Sequence, residues 1–371
     1  MSKNNTIAFV IHGFSMGGAE KFLISIVNYF CKLGYHPVVV SLSKDDTLVH
    51  ELDPRVVYTC IPKKHKFDIS VLKKVRSFIN NQHTDKIFCI NTYSFFIMKL
   101  AFMFDRKVRF FLSLHSTIPI STKVYLKNML FFRFLNSTDS VIYLCNNQRA
   151  YLKNKYYLSN TVESVINNGI DKDYFNPASL NKAEYTNLKF EYGIPSNEKI
   201  IIKVARINPE KGHGDAIEAL NILHNHFKKF AHLLFVGGGA TDYISTLKKK
   251  ALHYNLEHYI HFTNAQSDVR KFYQISDVFT LTSISETFSI AALEAMAFGL
   301  PCALTDIGGA SEMMIEGVTG LLSKPNNPFS IASSWSSILD SDLKGDPIRQ
   351  YFVDNFSSEL MFHNYQSLVI Q

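Results

Sequence analysis

Short apolar runs recur along the chain, separated by longer amphipathic ones. In the first half, β-branched and aromatic runs at 6–11, 37–41, 56–59, 87–90, 109–114, 140–144 and 163–166 read as strands, with helix-period segments such as 20–33 and 69–80 between them. The second half repeats this grammar, with strands at 199–205, 232–236, 259–262, 278–281 and 301–305 and helices at 215–227, 243–254 and 290–298. Continuous apolar strands alternating with helices predict parallel sheets covered on both faces. A polar stretch at 176–187, containing Pro177, separates the two halves. The expected organisation is α/β, with two doubly wound domains at 1–180 and 181–349 and with residues 350–371 packing back onto the first. The length of 371 residues fits two domains of roughly 100–200 residues each.

Composition narrows the class. Charged residues are only 19% of the chain and hydrophobic ones 46%, so both halves can bury a core and wholesale disorder is excluded. The formal charge of +7 is uneven. Residues 1–170 hold 22 Lys+Arg against 10 Asp+Glu, and residues 171–371 hold 17 against 22, giving +12 and −5. Such asymmetry points the first half at an anionic surface, either nucleic acid or membrane, or reflects solvated lysines. Cys31, Cys60, Cys89, Cys145 and Cys302 are widely spaced with no C-x-x-C pair, which predicts reduced thiols and a cytoplasmic setting. The most apolar stretch, 94–104, is interrupted by Lys99 and is too short to span a bilayer, which takes about 20 apolar residues.

In open α/β sheets, ligands bind where strands end and helices begin. The first strand ends in His12-Gly-Phe-Ser-Met-Gly17-Gly18-Ala-Glu20, a turn that suits either a tight connection or backbone approach to a phosphate at a helix N-terminus. The strand at 199–205 runs into Arg206-Ile-Asn-Pro-Glu-Lys211-Gly212, where two fixed cations flank a proline turn and suit a diphosphate leaving group. Gly237-Gly238-Gly239 ends the next strand. The richest segment is Ser283-Ile-Ser-Glu286-Thr287-Phe288-Ser289-Ile290-Ala-Ala-Leu-Glu294. Here a loop carboxylate, a helix N-terminus and a second carboxylate on an alanine-packed helix follow one another. A carboxylate among alanines needs something to satisfy it, and a pair of sugar hydroxyls would. The order carboxylate, anion site, carboxylate matches sugar hydroxyls, diphosphate and ribose hydroxyls.

The segment 286–301, with V-A-R-I-N-P-E-K-G-H (204–213), G-G-A-E (17–20), I-N-N-G-I-D (166–171) and D-I-G-G-A-S-E…G-V-T-G-L-L (306–322), resembles the signature of family-4 retaining glycosyltransferases of the GT-B fold. The resemblance implies two Rossmann-like domains facing across a cleft, with a nucleotide-sugar donor held by the second and an acceptor by the first. It assigns Glu286 to the transferred sugar and Glu294 to the ribose. Arg206 and Lys211 fall on the diphosphate, Gly17 and Gly18 cap it from the other domain, and His115 faces the donor sugar. Gly237, Thr287, Phe288, Ser289 and Ile290 complete the donor set. Catalysis would retain anomeric configuration, with no metal and no cofactor. Thr287 and Ser289 stand where the family often has glycine, and Gly237-Gly238-Gly239 stands for its usual G-D-G. Asp171-Lys-Asp173 and Asp340-Ser-Asp342 spell D-x-D and read as structural.

Lys63, Lys64 and Lys66, and the basic-aromatic run holding Lys123, Lys127, Phe131, Phe132 and Arg133, read as an acceptor or membrane face, with aromatics at the headgroup boundary and cations on anionic lipid. The expected partners are therefore a UDP-sugar, a glycan or polyprenyl-linked acceptor of cell-surface polysaccharide synthesis, and an anionic membrane surface on the cytoplasmic side, but no nucleic acid. Competing expectations are a soluble enzyme acting on a small metabolite, a nucleotide-sugar epimerase, or a non-catalytic binding subunit.

Overall fold

A computed structural model describes residues 5–15, 17–65, 68–103, 105, 107–116, 122–158 and 161–370. The chain divides into two compact units, Met1–Asn167 with Met361–Gln371, and Asn168–Leu360.

The first unit carries seven strands: β1 (Thr6–Ile11), β2 (His36–Ser41), β3 (Val57–Cys60), β4 (Lys86–Ile90), β5 (Arg109–Leu114), β6 (Ser140–Tyr143) and β7 (Val162–Val165). They form one parallel sheet in the order β3-β2-β1-β4-β5-β6-β7. The two-residue period of a strand sends alternate side chains to opposite faces. Ile7, Phe9 and Ile11 enter a core with Phe22, Ile26 and Phe30 of the helix Gly18–Lys32. Ala8 and Val10 enter another, covered by the helices Ser70–Asn81 and Asn91–Ala101. The last helix, Ser358–Ile370, adds Met361, Tyr365, Leu368 and Val369 to the first of these cores.

The second unit has β8 (Lys199–Val204), β9 (Ala231–Val236), β10 (Ile260–Phe262), β11 (Val278–Leu281), β12 (Cys302–Thr305) and β13 (Gly320–Ser323) in the parallel order β10-β9-β8-β11-β12-β13. The order reverses between β8 and β11, as it does between β1 and β4 in the first unit. The carboxyl ends flanking such a reversal are where a doubly wound sheet leaves its ligand crevice.

Three expectations shift. The division expected at 180/181 lies at 167/168. Consecutive asparagines mark it: the Asn167 amide donates to Leu144 O at 2.7 Å, whereas that of Asn168 donates to Phe288 O at 3.1 Å. Residues 350–360 stay with the second unit, because the helix Asp346–Phe356 packs Phe356 on Phe288 and Arg349 donates to the carbonyls of Lys172, Phe175 and Ala297. Finally, β13 was not expected. It is a four-residue edge strand, Gly-Leu-Leu-Ser, with none of the β-branched residues that announce strands. Among the described residues, no helix is long and apolar enough to cross a membrane.

Candidate active site

The loops after β8 and β11 meet at the reversal of the second sheet. Asn208 caps the single turn Pro209–Lys211 by accepting from the Lys211 backbone N–H at 3.2 Å. Gly212 then turns the chain into the helix His213–Asn225 at φ +62°, with Thr282 Oγ1 donating to its carbonyl at 2.7 Å. A Cβ on Gly212 would lie 1.9 Å from Thr282 O, so only glycine lets the two loops touch. Ile284 N–H donates to Glu210 O at 2.9 Å and completes the join. This backbone framework delivers an ion pair: Lys211 Nζ meets Glu286 Oε1, and Ser283 Oγ donates to the same oxygen at 3.2 Å. Arg206 is exposed on the same loop.

Gly237 has a different explanation from ligand contact. A Cβ there would lie 2.0 Å from Ala205 O, and Ile207 N–H donates to Gly238 O at 2.8 Å. The glycine triplet is the surface against which the Arg206 loop is laid.

Downstream of Glu286, Thr287 O accepts from Gly309 N–H at 2.7 Å, and Phe288 is buried. Ser289 caps the helix Ile290–Ala297 by accepting from Ala292 N–H at 3.3 Å, which leaves the first-turn N–H groups beside the loop. Ala292, Ala295 and Ala297 are buried and Glu294 is half-buried, as the alanine packing requires. Glu294 Oε2 accepts from the Tyr273 hydroxyl at 2.7 Å. Tyr273 is wholly buried, and burial followed by the Glu294 charge holds its pKa well above the usual tyrosine range, so it remains a donor. Sequence reading missed Tyr273, which lies 21 residues away on the five-residue helix Arg270–Gln274 and has no pattern of its own. The Asp171 carboxylate closes a turn by accepting from the Asp173 and Tyr174 N–H groups, each at 2.9 Å.

In the first unit, Gly17 caps the helix Gly18–Lys32 in extended conformation, and Glu20 of the first turn folds back beside it. His115 follows β5. Its N–H donates to Asn91 Oδ1 at 2.9 Å, its ring packs on Phe22 at 4.4 Å, and its Nε2 shares a hydrogen bond with Ser113 Oγ at 3.0 Å. Ser113 in turn bonds the buried Tyr365 hydroxyl at 3.2 Å. Enclosure by these groups pushes the His115 imidazole down to about 3, so the ring is neutral at ordinary pH. Asn91 holds φ +65°, a conformation sequence reading did not anticipate.

The basic-aromatic expectation is partly overturned. Phe131 stacks on Phe96 at 4.3 Å and Phe132 packs on Tyr156 at 4.9 Å. Both are core residues rather than lipid-facing ones, because the helix Thr122–Phe132 turns its C-terminal end inward. Its exposed apolar residues are Val124, Leu126, Met129 and Leu130, beside exposed Lys123 and Lys127, with Arg133 exposed just beyond. Lys63 lies over the Tyr93 ring at 5.1 Å, Lys64 is exposed, and Lys66 lies outside the described residues.

The family described as Glycosyl transferases group 1 matches residues 184–355, and Glycosyltransferase Family 4 matches residues 16–174. The chain belongs to glycosyltransferase family 4. It is 29% identical over 211 residues to N-acetyl-alpha-D-glucosaminyl L-malate synthase of Bacillus anthracis, covering 56% of this chain and 53% of the relative. It thus spans about half the length of such curated relatives. A glycosyltransferase from Rickettsia africae ESF-5 is 25% identical, with a TM-score of 0.84 over 99% of this chain and 98% of that one. Anabaena HepE, solved with UDP and glucose, shares the fold at 18% identity, with a TM-score of 0.82 over 98% and 99% of the two chains. The GT-B fold of two Rossmann-like sheets is thereby established.

Proposed function

We propose that this chain moves a sugar from a nucleotide-sugar, with UDP as the carrier, to an acceptor bound by the first unit, with retention of anomeric configuration. The observation that carries the proposal is the Lys211–Glu286 pair, held by touching loops at the sheet reversal and followed directly by the N-terminus of the helix that bears Glu294. In this proposal Lys211 turns from Glu286 toward the diphosphate while Arg206 closes from the exposed side, and Glu286 is released to the sugar hydroxyls. Glu294, aimed by Tyr273, takes the ribose hydroxyls. Gly17, Gly18 and the neutral His115 of the first unit are the further positions that the family resemblance assigns to the donor. Fixed cations and a helix N-terminus stabilise the departing diphosphate as its charge grows, so no metal is required. The departing phosphate accepts the acceptor's proton on the face from which it leaves.

For the acceptor, the exposed Leu126, Met129 and Leu130 on one face of their helix, beside Lys123 and Lys127, favour a lipid-linked glycan at an anionic membrane face. A second acceptor, a small anionic metabolite, is favoured by the +12 charge of residues 1–170 and by the likeness to a relative named for malate. A donor panel with product mapping tests the transfer, and activity should survive EDTA. Turnover of none of the nucleotide-sugars would overturn the proposal. Flotation with anionic liposomes at low salt separates the acceptors: retention supports the lipid-linked one, and release combined with transfer to a dicarboxylate supports the small one.

A further inference from the structure

β8 is the central strand of the second sheet, and its positions Ile200 to Ile202 are fully buried apolar residues. The next position is Lys203, also fully buried, in register with Phe235 of β9. Its Nζ makes no hydrogen bond among the described residues. Lysines in such places normally find a carboxylate or reach for solvent, because a buried ammonium without an acceptor is costly. Beside it, the fully buried His213 opens the helix His213–Asn225, and neither of its ring nitrogens makes a hydrogen bond of ordinary geometry. Two orphaned nitrogen-bearing side chains thus lie under the loop that carries Arg206 and Lys211.

The charges around Lys203 come from three elements. Glu286, from the loop after β11, and Asp215, from the helix His213–Asn225, favour its ammonium form; Lys211, from the loop after β8, opposes it. β9 presents Phe235. Behind Asp215, Glu218 is already paired with Lys250. Burial dominates and pushes the Lys203 amine down to about 7. His213 is pushed to about 2 by burial, with Lys203 and Lys211 adding to this and the Asn208 backbone opposing it, so it stays neutral and is no rival for a proton near neutrality.

We propose that Lys203 is a buried positioning cation for the donor diphosphate: an anion seated on the Arg206–Lys211 loop draws a proton from solvent onto the Lys203 amine, coupling nucleotide-sugar binding to proton uptake. This rests on the donor assignment above. The step is a protonation only, R–NH2 + H+ giving R–NH3+, and no bond of the donor changes. The diphosphate brings two negative charges to a poorly screened site, and Lys211 is drawn off Glu286 toward it. Both changes favour the ammonium. Lys203 reaches no reacting atom and acts through the loop above it.

The test is calorimetric titration of the full chain with UDP-glucose in two buffers of different ionisation enthalpy. A nucleotide-sugar is chosen because its diphosphate does not itself titrate near neutrality. An amine at about 7 predicts an uptake of about 0.1 proton at pH 6, about three-quarters at pH 7.5 and about 0.9 at pH 8. Lys203→Met should bind with no uptake at any of these values and should melt no lower than the wild type, since it removes an orphaned ammonium. Binding without uptake in the wild type, or equal uptake in Lys203→Met, would overturn the inference. If Lys203→Met does not fold, Lys203→Gln carries the same comparison, with loss of uptake expected and uptake equal to the wild type overturning the inference. Failure of UDP-glucose and of GDP- and dTDP-sugars to bind at all would instead overturn the donor assignment, and this inference with it.

Discussion

The two sheets end in loops that are held in different ways. In the second unit the loops after β8, β9, β11 and β12 are joined largely through backbone, with Ile284 donating to Glu210, Ile207 to Gly238 and Gly309 to Thr287, and with the Thr282 hydroxyl donating to the Gly212 carbonyl. In the first unit the position after β5 is held by side chains from distant segments, with Asn91, Phe22 and Ser113 around His115 and Tyr365 of the last helix behind them. A backbone-built site fixes its charged groups tightly and punishes any added Cβ. A side-chain-built one spreads its dependence over several residues, each of which can be exchanged at modest cost.

The largest effect should therefore come from the group that the backbone framework exists to place. Glu286→Ala should lower kcat by roughly 10³-fold while leaving the melting temperature near the wild-type value, because it removes a preorganised polar contact and leaves the half-buried Lys211 free to turn toward solvent. Steady-state kinetics beside a thermal melt checks this, and near-normal turnover would overturn the assignment. Next, Gly212→Ala should cost about 3 kcal/mol or more of stability in urea unfolding, since a Cβ would meet Thr282 O at 1.9 Å in a left-handed conformation. In the first unit Phe131→Ala should cost about 3 kcal/mol by emptying its stack with Phe96, and should leave liposome retention unchanged. Leu126→Gln with Leu130→Gln should do the reverse, weakening retention at unchanged stability.

These contrasts show why the second unit was easier to read from sequence. Its site is built by residues contiguous in the chain, 206–212 and 283–294, so local pattern and family resemblance point to the same places. The strands, too, were legible wherever β-branched or aromatic residues filled them, and only β13 escaped. What escaped in the site was set by tertiary packing. Phe131 and Phe132 carry the same letters whether they face lipid or core, and the direction is decided by Phe96 and Tyr156, far away in sequence. Tyr273 and Tyr365 act across 21 and 252 residues, and no periodicity encodes that. Lys203 reads as an interruption in an apolar strand until the sheet shows that it is central.

Acidification should reveal the buried histidine of each unit through stability. The folded His115 titrates at about 3 and His213 at about 2, both below the ordinary 6.5, so the unfolded chain takes the proton more readily. Their contribution to stability is complete above pH 6.5 and is lost as pH falls toward those values. Urea midpoints measured from pH 7 to pH 4 should decline. His213→Phe should flatten the decline by removing a buried titratable ring while keeping an aromatic against Phe235. His115→Ala should flatten it too, and should lower kcat/KM about tenfold without altering the pH–rate profile between pH 6 and 9, since the ring is neutral throughout. A new titration in that profile would overturn the neutral role.

The smallest effect tests how far the backbone framework of the second unit reaches. Glu294 is the exception there, because its direction is set by the Tyr273 hydroxyl at 2.7 Å rather than by a loop. Tyr273→Phe keeps the ring against Phe279 and Phe298 and deletes the hydroxyl that donates to Glu294 and lies 3.2 Å from Ala291 O, a loss of about 1.5 kcal/mol or a little more. If that bond aims Glu294 at the ribose, calorimetric UDP affinity should fall about tenfold while kcat at saturating donor stays the same, since the ribose is remote from the bond being broken. A fall in kcat at unchanged UDP affinity would move Glu294 from the ribose to the reacting sugar. Unchanged values of both would mean that the helix Ile290–Ala297 alone orients the carboxylate.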